Sequence, residues 1–184
     1  MVFIEVQDLQ RLEKEGKWNQ IINILQDKWH KNKNDIDIML RLATECWYIM
    51  ANWNFLNLDN SDLNFDSTQL ILIETYDYFS KNCVTDNKGL AIFGYMVSLF
   101  PNYFYTDYDK NGKMFLQYEN KGKNMLKLAY TNEPTNELYK ALYLGTNNNL
   151  DKVVDAKKDL NNIIQQLFSQ NTEVEKYFKE ILTK

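Results

Sequence analysis

The 184-residue sequence predicts an all-α protein made of antiparallel helix pairs in a single domain. Apolar side chains recur at helical spacing along most of the chain, which is the main signal for helices. Only six glycines and two prolines interrupt this spacing, too few for a chain dominated by turns and loops. The hydrophobic fraction of 45% suffices for one packed core at this length.

The first part of the chain predicts three helices followed by a loop. A short amphipathic helix ends at Gly16, a second runs from Trp18 to about Trp29, and Asp35 is a suitable N-cap for a third. Residues 52–66 are rich in Asn and Asp and have no clear period, so we expect a loop there. The apolar positions of the three helices are Val6, Leu9, Leu12, Trp18, Ile21, Ile22, Leu25, Trp29, Ile38, Met39, Leu42, Ala43, Cys46 and Trp47.

The remainder of the chain predicts six more helices. One opens at Ser67 and continues to about Lys81, and the next is capped by Asp86 and ends before Pro101. A second long loop is expected at about 101–112. Further helices are predicted over 113–131, 135–144, 150–169 and 172–183, the last two capped near Asn149 and by Thr172.

Two alternatives concern the second loop. The dipeptide Asn111-Gly112 could turn a β-hairpin, but helical spacing continues after it and favours a helix. The stretch Asp107–Gly112 matches the first half of a calcium-binding EF-hand loop. The glutamate required at position 12 is replaced by Tyr118, and Glu119 lies one residue late. We therefore expect a turn stabilised by Asx hydrogen bonds, with no metal and no cofactor.

A degenerate internal repeat makes the array resemble tetratricopeptide (TPR) proteins, whose unit is 34 residues. In both inserted loops the spacing exceeds that unit, in the second by about 16 residues. Long insertions on a helical scaffold commonly carry function. The matching groups are Gly16-Lys17-Trp18; Met39, Leu42, Ala43 and Cys46; Leu90, Phe93, Gly94 and Val97; and Gly122, Leu126, Ala129 and Pro134.

Charge is unevenly distributed along the chain. Residues 51–110 carry eight acidic and three basic residues, a net charge of −5, while the rest of the chain sums to +1. The same stretch holds 13 of the 26 aromatic residues. An acidic and aromatic surface suits a basic protein partner, although the aromatics could instead fill a core whose outside the acids solvate. The chain has only two arginines, Arg11 and Arg41, which disfavours nucleic-acid binding.

Residues suited to catalysis are few. The single histidine, His30, lies at the polar end of the second helix. There it can interact favourably with the C-terminal end of the helix dipole, which is a structural role. Glu74 and Asp77 are one helical turn apart and could act as paired carboxylates, but a solvated helix face explains them equally. Cys46 falls on an apolar stripe and is expected in the core. No nucleophile or phosphate-binding motif occurs, so we expect no enzyme.

In size, acidity, lack of catalytic residues and irregular helical repeats, the chain resembles the small helical immunity proteins of bacterial contact-dependent growth inhibition systems. The resemblance covers the whole chain and involves no specific motif, so it assigns no functional residue. It implies a cytoplasmic protein that binds one cognate toxin domain, often a basic nuclease and possible RNase, and covers its active site. No secretory signal or membrane span is visible, and the longest aliphatic run is Leu70–Ile73.

The sequence therefore predicts an immunity protein whose inserted loops bind the toxin, with no nucleic-acid or membrane partner. Charge reversal at Asp59 and Asp62 should slow association and reduce its salt dependence. The alternative is a TPR-type adaptor that holds a peptide near Met39, Cys46 and Leu90. The predicted partner-binding residues are Trp53, Asp59, Asp62, Asp66, Tyr103, Tyr105, Asp107 and Asp109.

Overall fold

The computed structural model describes residues 2–56, 58, 63–146 and 150–183, and this part of the chain consists of helices joined by turns and loops, without strands. The prediction of an all-α array is confirmed. Ten α-helices lie in the described ranges: α1 (Leu9–Lys14), α2 (Trp18–Lys31), α3 (Ile36–Ala51), α4 (Phe65–Asn82), α5 (Asn87–Leu99), α6 (Lys113–Asn132), α7 (Glu137–Gly145), α8 (Leu150–Asn161), α9 (Ile164–Leu167) and α10 (Glu173–Thr183).

The helices pack as successive neighbours in the pairs α1/α2, α3/α4, α5/α6 and α7/α8. In the second and third pairs, the two helices are joined by the inserted segments. The first inserted segment is residues 52–66 and the second is residues 101–112. The N-caps of α3, α5 and α7 are Asp35, Asp86 and Asn136, so one unit is 51 residues long and the next 50. A unit of about 50 residues equals a TPR unit enlarged by about 16.

The turns between pairs share one local geometry. The side chains of Asp35, Asp86 and Asn136 each accept the backbone N–H of the residue three positions later, at 3.1, 2.6 and 3.3 Å. The backbone N–H of each cap also donates to the carbonyl three residues earlier. Each turn therefore ends one helix and begins the next with satisfied donors. The predicted caps Asp35 and Asp86 are confirmed.

Helices α5 and α6 approach each other at a pair of glycines. A Cβ atom on Gly122 would lie 2.5 Å from the Ser98 backbone nitrogen and 2.8 Å from the Gly94 carbonyl oxygen. Leu126 and Ala129 on the same face of α6 are fully buried. The small residue Gly94 thus has the role that the repeat pattern predicts, namely close approach of two helices.

Helix α3 lies at the centre of the core. All of its residues from Ile38 to Met50 are buried. Helices α2, α4, α5 and α10 all contact it. The two ends of the described chain also meet, because the Val2 N–H donates to the Leu167 carbonyl at 2.8 Å. In the described ranges, each helix is too short or too polar to cross a membrane.

Three elements differ from the predicted ones. Helix α4 begins at Phe65 because Asn64, rather than Ser67, accepts the capping hydrogen bond, which the Ser67 N–H donates at 3.1 Å. The predicted helix over 150–169 is divided into α8 and α9 by two turn bonds, one of which joins the Ile163 N–H to the Leu160 carbonyl. The described ranges therefore contain ten α-helices, one more than the nine that the sequence predicts. The predicted loop over 101–112 begins with a 3₁₀ turn, Pro101–Phe104, whose Phe104 is buried.

At the remaining caps, the prediction is tested only for the last helix. The Glu175 N–H donates to the Thr172 hydroxyl oxygen at 3.3 Å, so Thr172 caps α10 as predicted. The Glu175 carboxylate in turn accepts the Gln170 N–H at 2.6 Å. The first bond satisfies a free donor in the first turn of α10, and the second joins that turn to the segment before the helix. The predicted cap near Asn149 lies outside the described residues.

Candidate functional site

The two inserted segments contact each other at the N-terminal end of α4. The Phe65 ring lies edge-on between Trp53 and Tyr103, with ring centroids 5.3 and 6.0 Å away. One turn further along α4, the Gln69 side-chain amide donates to the carbonyls of Asn102 and Tyr105, both at 3.1 Å. Segments separated by about fifty residues in sequence therefore form one continuous contact.

The aromatic residues predicted for the site are half-buried, and they pack against the residues beneath the inserted segments. Tyr103 stacks on Phe100 with ring centroids 5.0 Å apart, and its hydroxyl donates to the Met50 carbonyl at 3.3 Å. Burial raises the pKa of Tyr103 and of Tyr105. Tyr105 packs against Tyr118, 5.2 Å away. These rings hold the inserted segments in place and leave only part of their area for a partner.

The predicted acidic residues have different environments. Asp66, in the first turn of α4, and Asp107 are exposed. Asp109 is half-buried and accepts the Phe115 N–H at 2.9 Å and the Tyr105 hydroxyl at 3.5 Å. Asp59 and Asp62 lie outside the described residues.

The carboxylate of Asp109 holds the start of α6. Its bond from the Phe115 N–H is the main cause of a pKa below the ordinary aspartate value, and the N–H groups of Met114 and Lys113 add to it. The EF-hand-like stretch thus ends in a helix start, with Gly112 in a left-handed conformation at φ 66°. In the described ranges, no three His, Cys, Asp or Glu side chains are grouped so that they could hold a metal ion.

Sequence reasoning missed the two most exposed aromatic rings as site residues. Phe55 in the first inserted segment is 88% exposed, and Tyr108 in the second is 89% exposed. Aromatic side chains are enriched among the residues that dominate binding energy at protein interfaces, so these two rings are candidate contact points. The sequence offered only a weak signal for Tyr108. It lies between two aspartates, Asp107 and Asp109, so its adjacent residues in the chain are charged.

The paired carboxylates considered for catalysis have separate partners. Glu74 accepts the Lys33 ammonium at 2.7 Å and lies 3.6 Å from the His30 ring nitrogen, whereas Asp77 pairs with Lys81 at 3.7 Å. A network of ion pairs on an exposed helix face is a sufficient role for these side chains. Cys46 is fully buried, and burial strongly raises the pKa of its thiol, as expected for a core residue.

A buried charge cluster, also missed, joins α1, α3 and α10. The Arg41 guanidinium lies 2.9 Å from the Glu13 carboxylate and 2.5 Å from that of Glu45, and all three side chains are fully buried. Glu175 of α10 is fully buried as well. The signal in the sequence was an arginine and a glutamate four residues apart within an otherwise apolar helix.

The groove that a peptide-binding adaptor would need is closed in this conformation. Met39, Cys46 and Leu90 are buried. Helix α10 covers α3 with Tyr177 and Phe178, whose rings lie 5.5 and 6.4 Å from Trp47. A peptide on this face of α3 would have to displace α10.

Comparison with known proteins found no matching family model, no matching curated protein and no matching solved structure. The proposals below therefore rest on the residues of this chain.

Proposed function

We propose that the protein is an immunity protein that neutralises a cognate toxin domain by binding over its active site. The contact between the two inserted segments carries this proposal. It combines the segments that have acidic excess, aromatic residues and length beyond a plain repeat unit into one surface. Rigid support beneath a partner-binding surface reduces the ordering cost of association.

The mechanism is occlusion of a basic active-site face. Exposed carboxylates such as Asp66 and Asp107 attract the toxin and orient its approach. The exposed rings of Phe55 and Tyr108 are the candidate desolvated anchors that limit dissociation. Trp53, Tyr103 and Tyr105 contribute by fixing the segments that carry these anchors.

Immunity is tested by growth. Cells express the C-terminal domain of the protein encoded immediately upstream, with and without this chain. We expect the domain to arrest growth alone and the chain to restore growth and co-purify with the domain. A neighbour that is harmless alone, or that still kills in the presence of this chain, contradicts the proposal.

The surface is tested by binding kinetics with that domain. Phe55→Ala and Tyr108→Ala should each raise Kd about tenfold or more, mainly through faster dissociation. Val154→Ala is the matched control, because Val154 is also an exposed apolar residue but lies on α8, away from both inserted segments. Equal effects of all three changes would place the interface elsewhere. The charge reversal at Asp59 and Asp62 should lower the association rate and its salt dependence.

A further inference from the structure

Helix α10 packs on α8, where the Lys157 ammonium donates to the Ile181 carbonyl at 3.2 Å, and on α1 and α3 through an aromatic contact and a polar contact. In the aromatic contact, Phe178 packs against Phe3, Tyr95 and Phe168, with ring centroids 5.4 to 5.7 Å away. In the polar contact, the Glu173 N–H donates to the Glu13 carboxylate, and the fully buried Glu175 approaches the Arg41 guanidinium. The second contact places buried carboxylates next to one another.

Hydrogen bonding at this polar contact is incomplete. In the part of the chain that the structure describes, all buried side-chain polar atoms that lack a hydrogen-bond partner belong to α3 or α10. A buried polar group without a hydrogen-bond partner is unfavourable, because it has given up its hydrogen bonds to water. The docking of α10 is thus less favourable than its aromatic contact alone would make it. The atoms concerned are Arg41 Nε and Nη1, Glu45 Oε2, Trp47 Nε1 and Glu175 Oε1, together with Glu45 Oε1, which has an ion pair with Arg41 but no hydrogen bond.

The buried charges do not balance. Two carboxylates, those of Glu13 and Glu45, pair with the single guanidinium of Arg41, and the buried Glu175 carboxylate also lies within the range of its charge. Burial and the neighbouring Glu45 carboxylate raise the pKa of Glu13 to about 9, against the opposing effect of Arg41. Burial also raises the pKa of Glu175. Burial and the excess of carboxylates therefore both favour a proton within the Glu13–Glu45 pair.

The other groups that face the cluster are on α3 and α10. On α3, the Tyr48 hydroxyl faces the carboxylates of Glu173, Glu13 and Glu45, which add to the effect of burial in raising its pKa to about 12. On α10, Lys179 acts on Glu175 in the opposite sense. Glu173 itself is bound to the exposed Lys176 at 2.6 Å. The only buried cation among these groups is Arg41, so a proton is the remaining source of positive charge.

We propose that α10 is a proton-linked strap: its docking on α1 and α3 requires a proton in the Glu13–Arg41–Glu45 cluster, and loss of that proton releases the helix. Release hydrates Glu13, because the Glu173 backbone that covers it moves away with α10. It also uncovers the Trp47 and Tyr48 rings, which Tyr177 now covers. This inference is independent of the proposed function.

The test is amide hydrogen exchange of α10 between pH 6 and 9 in the full-length chain. Intrinsic exchange also changes with pH, so the quantity compared is the ratio of α10 exchange rates between the native chain and Glu13→Gln at each pH. Glutamine keeps the shape of the protonated acid and cannot lose its proton. We expect this ratio to rise with pH by up to about tenfold per unit. Asp27→Asn, which removes an exposed carboxylate of α2, should leave exchange in α10 as in the native chain.

Carboxyl ¹³C chemical shifts of Glu13 in the native chain provide a second measurement, which holds even where Glu13→Gln fails to fold. We expect Glu13 to titrate well above the ordinary glutamate range, and α10 to lose protection over the same pH interval. Titration of Glu13 near its ordinary pKa, or a pH-independent exchange ratio between the native chain and Glu13→Gln, overturns the proposal.

Discussion

Two helix contacts in this molecule are made in opposite ways. At the crossing of α5 and α6, Gly94 and Gly122 bring two backbones together through small residues and apolar neighbours alone. At the junction of α1, α3 and α10, the helices instead pack around a buried arginine and three buried carboxylates. The first contact does not depend on pH, because none of its groups titrates. The second depends on a proton, and hence on pH.

The largest expected effect comes from removing the buried cation. Arg41→Met should lower the free energy of unfolding by about 3–5 kcal/mol at pH 7, because it leaves carboxylates buried without a positive partner. Urea denaturation measures it. Lys88→Met is the control, since Lys88 pairs with the half-exposed Asp37 and should contribute less than about 1 kcal/mol. Equal losses in the two variants would mean that the Arg41 cluster is hydrated.

The stability of the crossing between α5 and α6 should be almost as sensitive to mutation, but here it depends on side-chain volume rather than on charge. Gly122→Ala should cost about 2 kcal/mol, because the new methyl group meets the backbone of Ser98, which cannot rotate away as a side chain can. Gly145→Ala is the matched control, since a Cβ there has nothing within 4 Å. Thermal or urea unfolding of both variants at pH 6 and pH 8 should give the same difference at the two values. A pH-dependent difference would break the contrast between the two contacts.

The pH dependence of the native chain should be a smaller effect. Because the pKa of Glu13 is raised on folding, its stabilising contribution is complete below the pKa of the unfolded chain and is lost as pH rises towards about 9. We expect the native chain to lose about 1 kcal/mol relative to Glu13→Gln between pH 7 and pH 8. Urea denaturation of both chains at the two pH values checks this. A difference that grows towards low pH would have the wrong sign.

The features that could be predicted from the sequence are those that depend on residues close together in the chain or on a repeat pattern. Asp35 and Asp86 were identifiable because a cap acts within three residues, and Gly94 because a repeat pattern marked its position. The start of α4 was missed by two residues because Asn64 and Ser67 are both good caps, and only the structure decides which one accepts.

The long-range contacts had no comparable signal. Glu13 and Glu173 are 160 residues apart, and nothing local to either glutamate indicates that they meet. The same holds for Phe65 and Tyr103, which join the inserted segments. Composition predicted that these segments would be acidic and aromatic. It did not predict that Trp53, Tyr103 and Tyr105 would be half-buried while Phe55 and Tyr108 would be exposed.

The smallest expected effect separates support from contact within the second inserted segment. Asp109→Ala removes the acceptor of the Phe115 N–H and of the Tyr105 hydroxyl, so α6 should fray at its first turn, and exchange of the Phe115 amide should increase. Asp107→Ala removes an exposed carboxylate two residues away and should leave that amide protected. In this interpretation Asp107 contacts the partner, whereas Asp109 stabilises the start of α6. Asp107→Lys should therefore slow association with a basic partner and leave α6 as stable as before. Increased exchange of the Phe115 amide in both alanine variants would mean that the segment has no such division, and that its acids act on the fold before they act on a partner.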